Sequence, residues 1–435
     1  MTSTLLKAVS VREEEISAVL LATAYGFCIL LSYYILRPVR DEISSADRGN
    51  LQILWTVVFL VMVFVAVPLY SAVVSRFSRG VFIPLANRFF AANLLIFFAA
   101  LYLLPEGARP WIDRVFYVWT SVFALFVVTV FWGFVVDLFA TEQGKRVFGF
   151  IAVGSSLGGI AGSFVTATMA EIVPPFVLLL IAVVPLEVAA WFAIILHRRS
   201  GLASAATRAE ESEPVRGTAW SGMKVVFQSS YLSLILLFIV LMTFASTVLY
   251  YQQADLIRDA FPVDRAARTA FYAKIDLAVN LITIFTQALV VARIIRMIGI
   301  GLSLAMIPLL AMVGFFSLGV YPLLVVLVVF QVVYRAGRYS IARPSREVLY
   351  TVVGREERYK SKAFIDAGGY RGGDLVSAWL YTGLAALGLS VGAIALAAVP
   401  AAALWAGTGL ILGRMQEKRA VDGGAEGEVA TASGG

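Results

Sequence analysis

The sequence predicts an all-α polytopic membrane protein with twelve transmembrane helices, and three observations carry that expectation. First, the chain has 435 residues, 60% of them hydrophobic and only 14% charged, with a mean hydropathy of +0.86. A soluble globular domain needs roughly a quarter of its residues charged. Second, runs of about 20 apolar residues recur along nearly the whole length, each long enough to cross a hydrocarbon core of about 30 Å as a helix. Third, Lys and Arg fall unevenly between the flanks of those runs, as expected of a chain threaded repeatedly through a bilayer.

In chain order the apolar runs place spans at 16–38, 51–74, 81–104, 112–138, 147–170 and 175–197. After a polar interruption they resume at 231–254, 270–292, 297–319, 321–342, 361–388 and 391–413. The expected organisation is an N-terminal six-helix bundle at 1–197, a cytoplasmic linker at 198–230, a C-terminal six-helix bundle at 231–413 and a disordered cytoplasmic tail at 414–435. The linker contains "SGLASAATRAEESEPVRGTAWSG" and the tail "VDGGAEGEVATASGG"; both are too poor in large apolar residues to build a core.

The stretch "VREEEIS" precedes the first run, and no small-residue cleavage site follows it, so that run reads as a retained helix. With the N-terminus inside, Lys and Arg on the cytoplasmic side outnumber those opposite about three to one. The opposite side holds Arg40, Arg48, Arg109, Arg114, Arg258, Arg265 and Arg268. Both termini and the linker are then cytoplasmic. The net charge of +7 belongs to this topology and does not point to nucleic acid. Cys28 is the only cysteine, so no intrachain disulfide forms. The single histidine, His197, stands beside Arg198 and Arg199 as an interfacial residue, and the pattern contains no metal site and no cofactor site.

The two halves read as repeats. "FIAVGSSLGG" at 150–159 aligns with "FIDAGGYRGG" at 364–373, keeping Phe, Ile and three glycines at an offset of 214. "SRFSRG" from Ser75 and "ARIIRM" from Ala292 share an Arg-x-x-Arg spacing at an offset of 217. A Tyr-Tyr pair, Tyr33–Tyr34 and Tyr250–Tyr251, recurs at the same offset, and an Arg-Asp pair at 218. Two parallel six-helix repeats are the architecture of the major facilitator fold, in which the solute binds between the halves. That superfamily's Asp-Arg-x-Gly-Arg signature is degenerate here, with Ser75 and Ser78 where Asp and Gly would stand.

Where the repeats differ, charge enters the spans. Ala152 becomes Asp366 and Leu157 becomes Arg371, with Asp374 three residues on and one face shared. In the tenth span Gln331, Tyr334, Arg335 and Arg338 share a face, and the eighth carries a polar stripe including Tyr272, Asp276, Asn280, Thr283 and Gln287. Charges inside a spanning helix usually face a cavity and carry function. Blander roles stand beside that one: Arg37 and Arg40 at the edge of the first span could snorkel to headgroups, the acid–arginine set could be a structural pair, and the stripe could be interhelical hydrogen bonding. Glu187, isolated in the sixth span, receives no role.

Taken as cavity groups, Arg37, Arg40, Arg335, Arg338 and Arg371 outweigh Asp276, Asp366 and Asp374. Guanidinium forks bind phosphate and carboxylate bidentately, and Tyr33, Tyr34 and Tyr334 suit a ring stacked above an anion. Gln331 and Asn280 complete the expected binding set, and the three aspartates are candidates for coupling.

"YYILRPVRDEI" at 33–43 resembles the first-helix motif of the nucleotide (ATP/ADP) transporter family of plastids and intracellular bacteria, relatives of the major facilitators. "FWGFVVDLFATEQGKRVFGFIAVGSSLGG" is similar to that family's fourth-to-fifth-span stretch, and "RPSREVLYTVVGREERYKSKAFIDAGGYRGGD" to its tenth-to-eleventh-span segment. The similarity is scattered over most of the chain and resembles divergent bacterial relatives more than the exchangers themselves. Arg40 stands where the family places a transport lysine, and Arg371 at or near another. Acids expected in the fourth span and within "TVLYYQQ" of the seventh are absent. The resemblance implies anion transport without strict ATP-for-ADP exchange, in a bacterial inner membrane.

The expected function is secondary-active transport of an organic anion, a nucleotide or another phosphorylated solute, by alternating access. The expected partners are that small anionic solute and membrane lipids, with the chain a monomer. Two alternatives stay open: a proton-coupled major facilitator transporter of a different solute, and a non-transporting scaffold or lipid-binding protein. No enzyme is expected, since the chain has no phosphate-binding Gly-x-x-x-x-Gly-Lys loop, metal-ligand cluster or nucleophile motif.

Overall fold

The structure is a computed structural model that describes residues 15–77, 79–139, 141–200, 219–289 and 291–432. The leading "VREEE" up to residue 14, Ser78 of the degenerate signature and most of the linker lie outside the described residues. Among the described residues, eleven helices are long and apolar enough to cross a membrane. In order they are Ile16–Ala46, Arg48–Tyr70, Val81–Leu103, Glu106–Leu138, Arg146–Met169, Val177–Arg199, Ser230–Ala260, Arg265–Leu289, Met297–Val320, Leu324–Leu349 and Val391–Val421.

The expected eleventh span at 361–388 is the exception. It is built as a helix Arg355–Phe364, a π-helical turn Ile365–Gly369 and a 17-residue helix Tyr370–Ala386. Asp366, Arg371, Asp374 and the intervening glycines lower its hydropathy, so its apolar stretch begins only at Leu375. We number this broken helix eleventh and Val391–Val421 twelfth.

Three further boundaries differ from the expectation. The first helix continues through Pro38 to Ala46, past the expected end at 38, because its charged last turns are buried in protein. The linker ends in a short helix, Ala219–Gln228, packed on Arg355–Phe364, where a Cβ on Gly222 would meet the carbonyl of Lys360. The last helix is continuous from Val391 to Ala432, through most of the stretch expected to be a disordered tail. Its segment Arg414–Ala420 is rich in good helix formers, which extends the spanning helix beyond the apolar run.

Prolines explain two irregular turns. A π-helical turn at Met62–Ala66 precedes Pro68, and another at Arg338–Ala342 precedes Pro344. Proline lacks the amide hydrogen and crowds the preceding turn, so the ladder widens locally. The ninth helix breaks at Gly299, whose φ of 75° suits a residue without a Cβ.

The chain divides into two compact units. One holds the first six spans together with Ile257–Asn280, and the other holds Pro214–Leu256 and the chain from Leu281 onward. In the first unit the first helix packs on the fourth, fifth and sixth, and the third packs on the sixth. The fifth helix approaches through a stripe of small residues: a Cβ on Gly154, Gly158 or Gly162 would collide with Thr23, Phe27 or Leu31 of the first. Without a hydrophobic drive between helices in lipid, such close backbone contact is the main source of association. In the second unit the ninth and twelfth helices meet through Gly301 and Gly413, and Gly319 and Gly392. The eleventh meets the seventh where Gly369 abuts Leu236 and Gly373 abuts Thr243. Fifth-on-first and eleventh-on-seventh packing thus recur, with one aligned glycine pair, Gly159 and Gly373, at a close contact in both.

Candidate functional site

In the first unit the last turns of the first helix carry a dense ion-pair cluster. Arg37 Nε lies 3.5 Å from Asp41 Oδ2 and 3.5 Å from Asp276 Oδ2. Arg40 Nη1 lies 3.0 Å from Asp41 Oδ1, and its guanidinium stands 4.2 Å from the Tyr117 ring centroid. Glu42 accepts from Arg265 at 2.6 Å and Arg268 at 2.7 Å, while Arg265 also donates to Asp113 at 2.8 Å. Arg268 closes its valence on the carbonyls of Phe261 and Pro262 at 2.7 and 3.0 Å. Ser45 and Tyr272 share a 2.7 Å hydrogen bond, and Asp47 accepts from Arg114 at 2.6 Å. These bonds hold the start of the eighth helix in the first unit.

Each of Arg37, Arg40, Arg114, Arg265 and Arg268 therefore meets a carboxylate. Arg37 and Arg40 lie inside the 31 residues of the first helix, with their charge matched by Asp41 and Asp276. Deeper in the same unit Tyr34, Asn280 and Gly159 come together. The Tyr33 and Tyr34 rings meet edge-on at 5.2 Å, and Asn280 Nδ2 donates to Ser163 at 3.3 Å. A Cβ on Gly159 would stand 3.1 Å from the Tyr34 ring and 3.4 Å from Asn280.

In the second unit the shared face of the tenth helix meets the seventh. Arg338 donates through Nη1 to Ser246 Oγ at 2.6 Å, Ser246 and the Tyr334 hydroxyl are 2.9 Å apart, and Gln331 donates to Gln253 at 2.5 Å. Arg338 also reaches the Tyr339 hydroxyl at 3.4 Å and lies 5.1 Å from that ring. Among the described residues Arg338 meets hydroxyl groups and an aromatic ring but no carboxylate. The π-helical turn begins at Arg338, which frees this part of the tenth helix from regular spacing. Arg335 is buried on the same helix.

The acid–arginine set of the eleventh helix does not come together as a structural pair. Asp374 accepts from Thr247 at 3.4 Å. Asp366 is exposed, beside Arg343, Arg346 and Lys362, because the π-helical turn separates it from the helix that carries Asp374. Arg371 is half-buried with no hydrogen bond or ion pair among the described residues.

Several groups of these clusters carry no signal in the sequence. Ser246 is a hydroxyl residue amid the apolar run of the seventh helix, and only the facing tenth helix gives it a role; Gln253 ends the polar run Tyr250-Tyr251-Gln252-Gln253, whose partner Gln331 the sequence does not reveal. Glu42 has a faint one, as an acid directly after an Arg-Asp pair at the end of an apolar run. Arg265 and Arg268 look like flanking topology charges until their partner is seen. No group of three or more His, Cys, Asp and Glu suited to a metal occurs among the described residues.

Residues 104–409 match the model of a family described as the TLC ATP/ADP transporter. A comparison with curated proteins finds no significant match. Among solved structures, an auto-inhibited POT family peptide transporter aligns with a TM-score of 0.62 at 13% identity, covering 93% of this chain and 97% of its own. The inward-open xylose transporter XylE from E. coli gives 0.60 at 14%, covering 90% and 95%. The nucleoside transporter NupG gives 0.59 at 11%, covering 92% and 99%. These likenesses establish the major facilitator fold.

Proposed function

The chain belongs to the TLC ATP/ADP transporter family, as an integral membrane transporter of the major facilitator fold, and from that premise we propose that its solute is an organic anion, a nucleotide or another phosphorylated compound, moved by secondary-active alternating access. The observation that carries this proposal is Arg338. Its guanidinium is held by Ser246 and Tyr339 hydroxyls with no carboxylate among the described residues to neutralise it. A guanidinium fixed by neutral donors and acceptors keeps its full charge for an incoming anion, and its planar fork suits phosphate oxygens. Tyr334 and Tyr339 add aromatic surface beside it. Arg335 and Arg371 are the further cations we assign to the solute.

The first-helix arginines receive a different weight from the one their positions suggest. Arg37 and Arg40 are matched by Asp41 and Asp276, so an anion would have to displace a carboxylate to bind them. We assign them to the cluster that holds the eighth helix, with Tyr33, Tyr34 and Asn280 packed below. We place the protein in a bacterial inner membrane with both termini in the cytoplasm, acting as a monomer.

Counterflow in proteoliposomes tests the solute class. Labelled ATP, ADP and simpler phosphorylated anions are supplied outside with unlabelled partners inside. Accumulation of one of them that depends on the internal partner is the expected result. Failure of all of them, with or without an imposed proton gradient, would refute the anion assignment.

A further inference from the structure

Two charged side chains stand on the apolar outer surface of the first unit. Arg88 of the third span and Glu187 of the sixth form a two-pronged ion pair, Nη2 to Oε1 at 2.8 Å and Nε to Oε1 and Oε2 at 3.1 and 3.3 Å. Their side chains are 43% and 41% exposed. Around them Leu85, Phe89, Val184 and Trp191 are also exposed, the composition of a face turned to lipid. An ion pair open to hydrocarbon is costly and adds little stability over apolar residues of the same size. Its presence there points to a ligand.

The pair lies beside a groove of about 430 Å³ lined by Val81, Pro84, Leu85, Arg88, Ile194, His197 and Arg198. The walls are apolar, and the polar groups are two arginines and a histidine. Arg88 sits seven residues in from Val81, roughly 10 Å along the helix axis, while His197 and Arg198 stand at the end that the Lys and Arg distribution assigns to the cytoplasm. The Glu187 carboxylate occupies Nε and Nη2 of Arg88 and leaves Nη1 for a second acceptor. Arg198 is exposed and makes no ion pair among the described residues.

We propose that this groove is a binding site for an anionic phospholipid of the cytoplasmic leaflet. Arg198 and Nη1 of Arg88 hold the phosphate, His197 flanks it, Glu187 fixes the Arg88 guanidinium, and an acyl chain lies along Val81, Leu85 and Ile194. Basic pockets between helices at the cytoplasmic side recognise lipid headgroups by this combination of fixed charge and apolar wall.

Native mass spectrometry of the full chain, equilibrated with equimolar phosphatidylglycerol and phosphatidylcholine, tests the site. The expected result is preferential retention of phosphatidylglycerol, reduced about fivefold by Arg198→Ala and abolished by Arg88→Ala, with Arg88→Lys keeping part of it. Thermal melting of Arg198→Ala at the wild-type temperature shows that the loss is not misfolding. Equal retention of both lipids, or an unchanged preference in Arg198→Ala, overturns the proposal. So does displacement by inorganic phosphate, which would mark a soluble anion, or a dimer lost on Arg88→Ala, which would mark a second copy on this face.

Discussion

The carboxylate of Glu42 and the guanidinium of Arg268 meet at 2.7 Å with side chains only 2% and 5% exposed. The two residues are 226 positions apart, one at the end of the first helix and one at the start of the eighth. Burying both charges is tolerable because neither has an idle polar edge: Glu42 also accepts from Arg265, and Arg268 also donates to two carbonyls. A buried pair satisfied this fully fixes geometry, and removing one member leaves the other charged and dry.

Glu42→Gln is therefore expected to destabilise the protein by about 3–5 kcal/mol, because Arg268 loses its only carboxylate in the cluster. Asp113→Asn removes one of two carboxylates from the more exposed Arg265 and is expected to cost much less. Melting temperatures of the two variants in the same detergent measure the difference. Equal losses would show that the Glu42 cluster has no special weight.

The aligned glycines 158 and 372 occupy matching places in the two repeats but different surroundings. A Cβ on Gly158 would collide with the carbonyl of Phe27, whereas one on Gly372 meets nothing within 4 Å. Gly158→Ala should cost about 1–3 kcal/mol by forcing the first and fifth helices apart. Gly372→Ala should be neutral or slightly stabilising, since alanine is the better helix former. Thermal melts of both variants check the contrast.

Asp276 and Asp374, two candidates for coupling, belong to different units. Asp276 is buried in the first-helix cluster, 3.5 Å from the Arg37 guanidinium. Asp374 accepts from the Thr247 hydroxyl at 3.4 Å, in the unit that carries Arg338. Asp374→Asn is expected to change the pH dependence of uptake, and Asp276→Asn to leave it intact. Initial uptake rates across an imposed pH gradient decide between them, and the reverse pattern would reassign the coupling group.

Much of this architecture was legible before any coordinates. Helical spacing put Gln331, Tyr334 and Arg338 on one face, and that face does meet the seventh helix. The glycine-rich stretches that align between the halves both lie at close helix contacts, though only Gly159 and Gly373 do so as an aligned pair. The end of the first helix was not legible, because "RPVRDEI" looks like a membrane edge unless its partners are known. Those partners, Asp276, Arg265 and Arg268, lie on the eighth helix, where the arginines of the first turn serve equally well as a topology signal. The broken eleventh helix was hidden for a related reason: a π-helical turn has no sequence period of its own. Tertiary pairing, which a one-dimensional pattern does not encode, determined each of these details.

The central claim is that Arg338 meets the anionic solute. The most direct measurement is the counterflow rate of the nucleotide or phosphorylated anion that the wild type accumulates, compared among wild type, Arg338→Lys and Arg338→Ala at equal amounts of folded protein. The account predicts partial transport in Arg338→Lys, which keeps the charge but loses the fork, and none in Arg338→Ala. Wild-type rates in Arg338→Ala would contradict it.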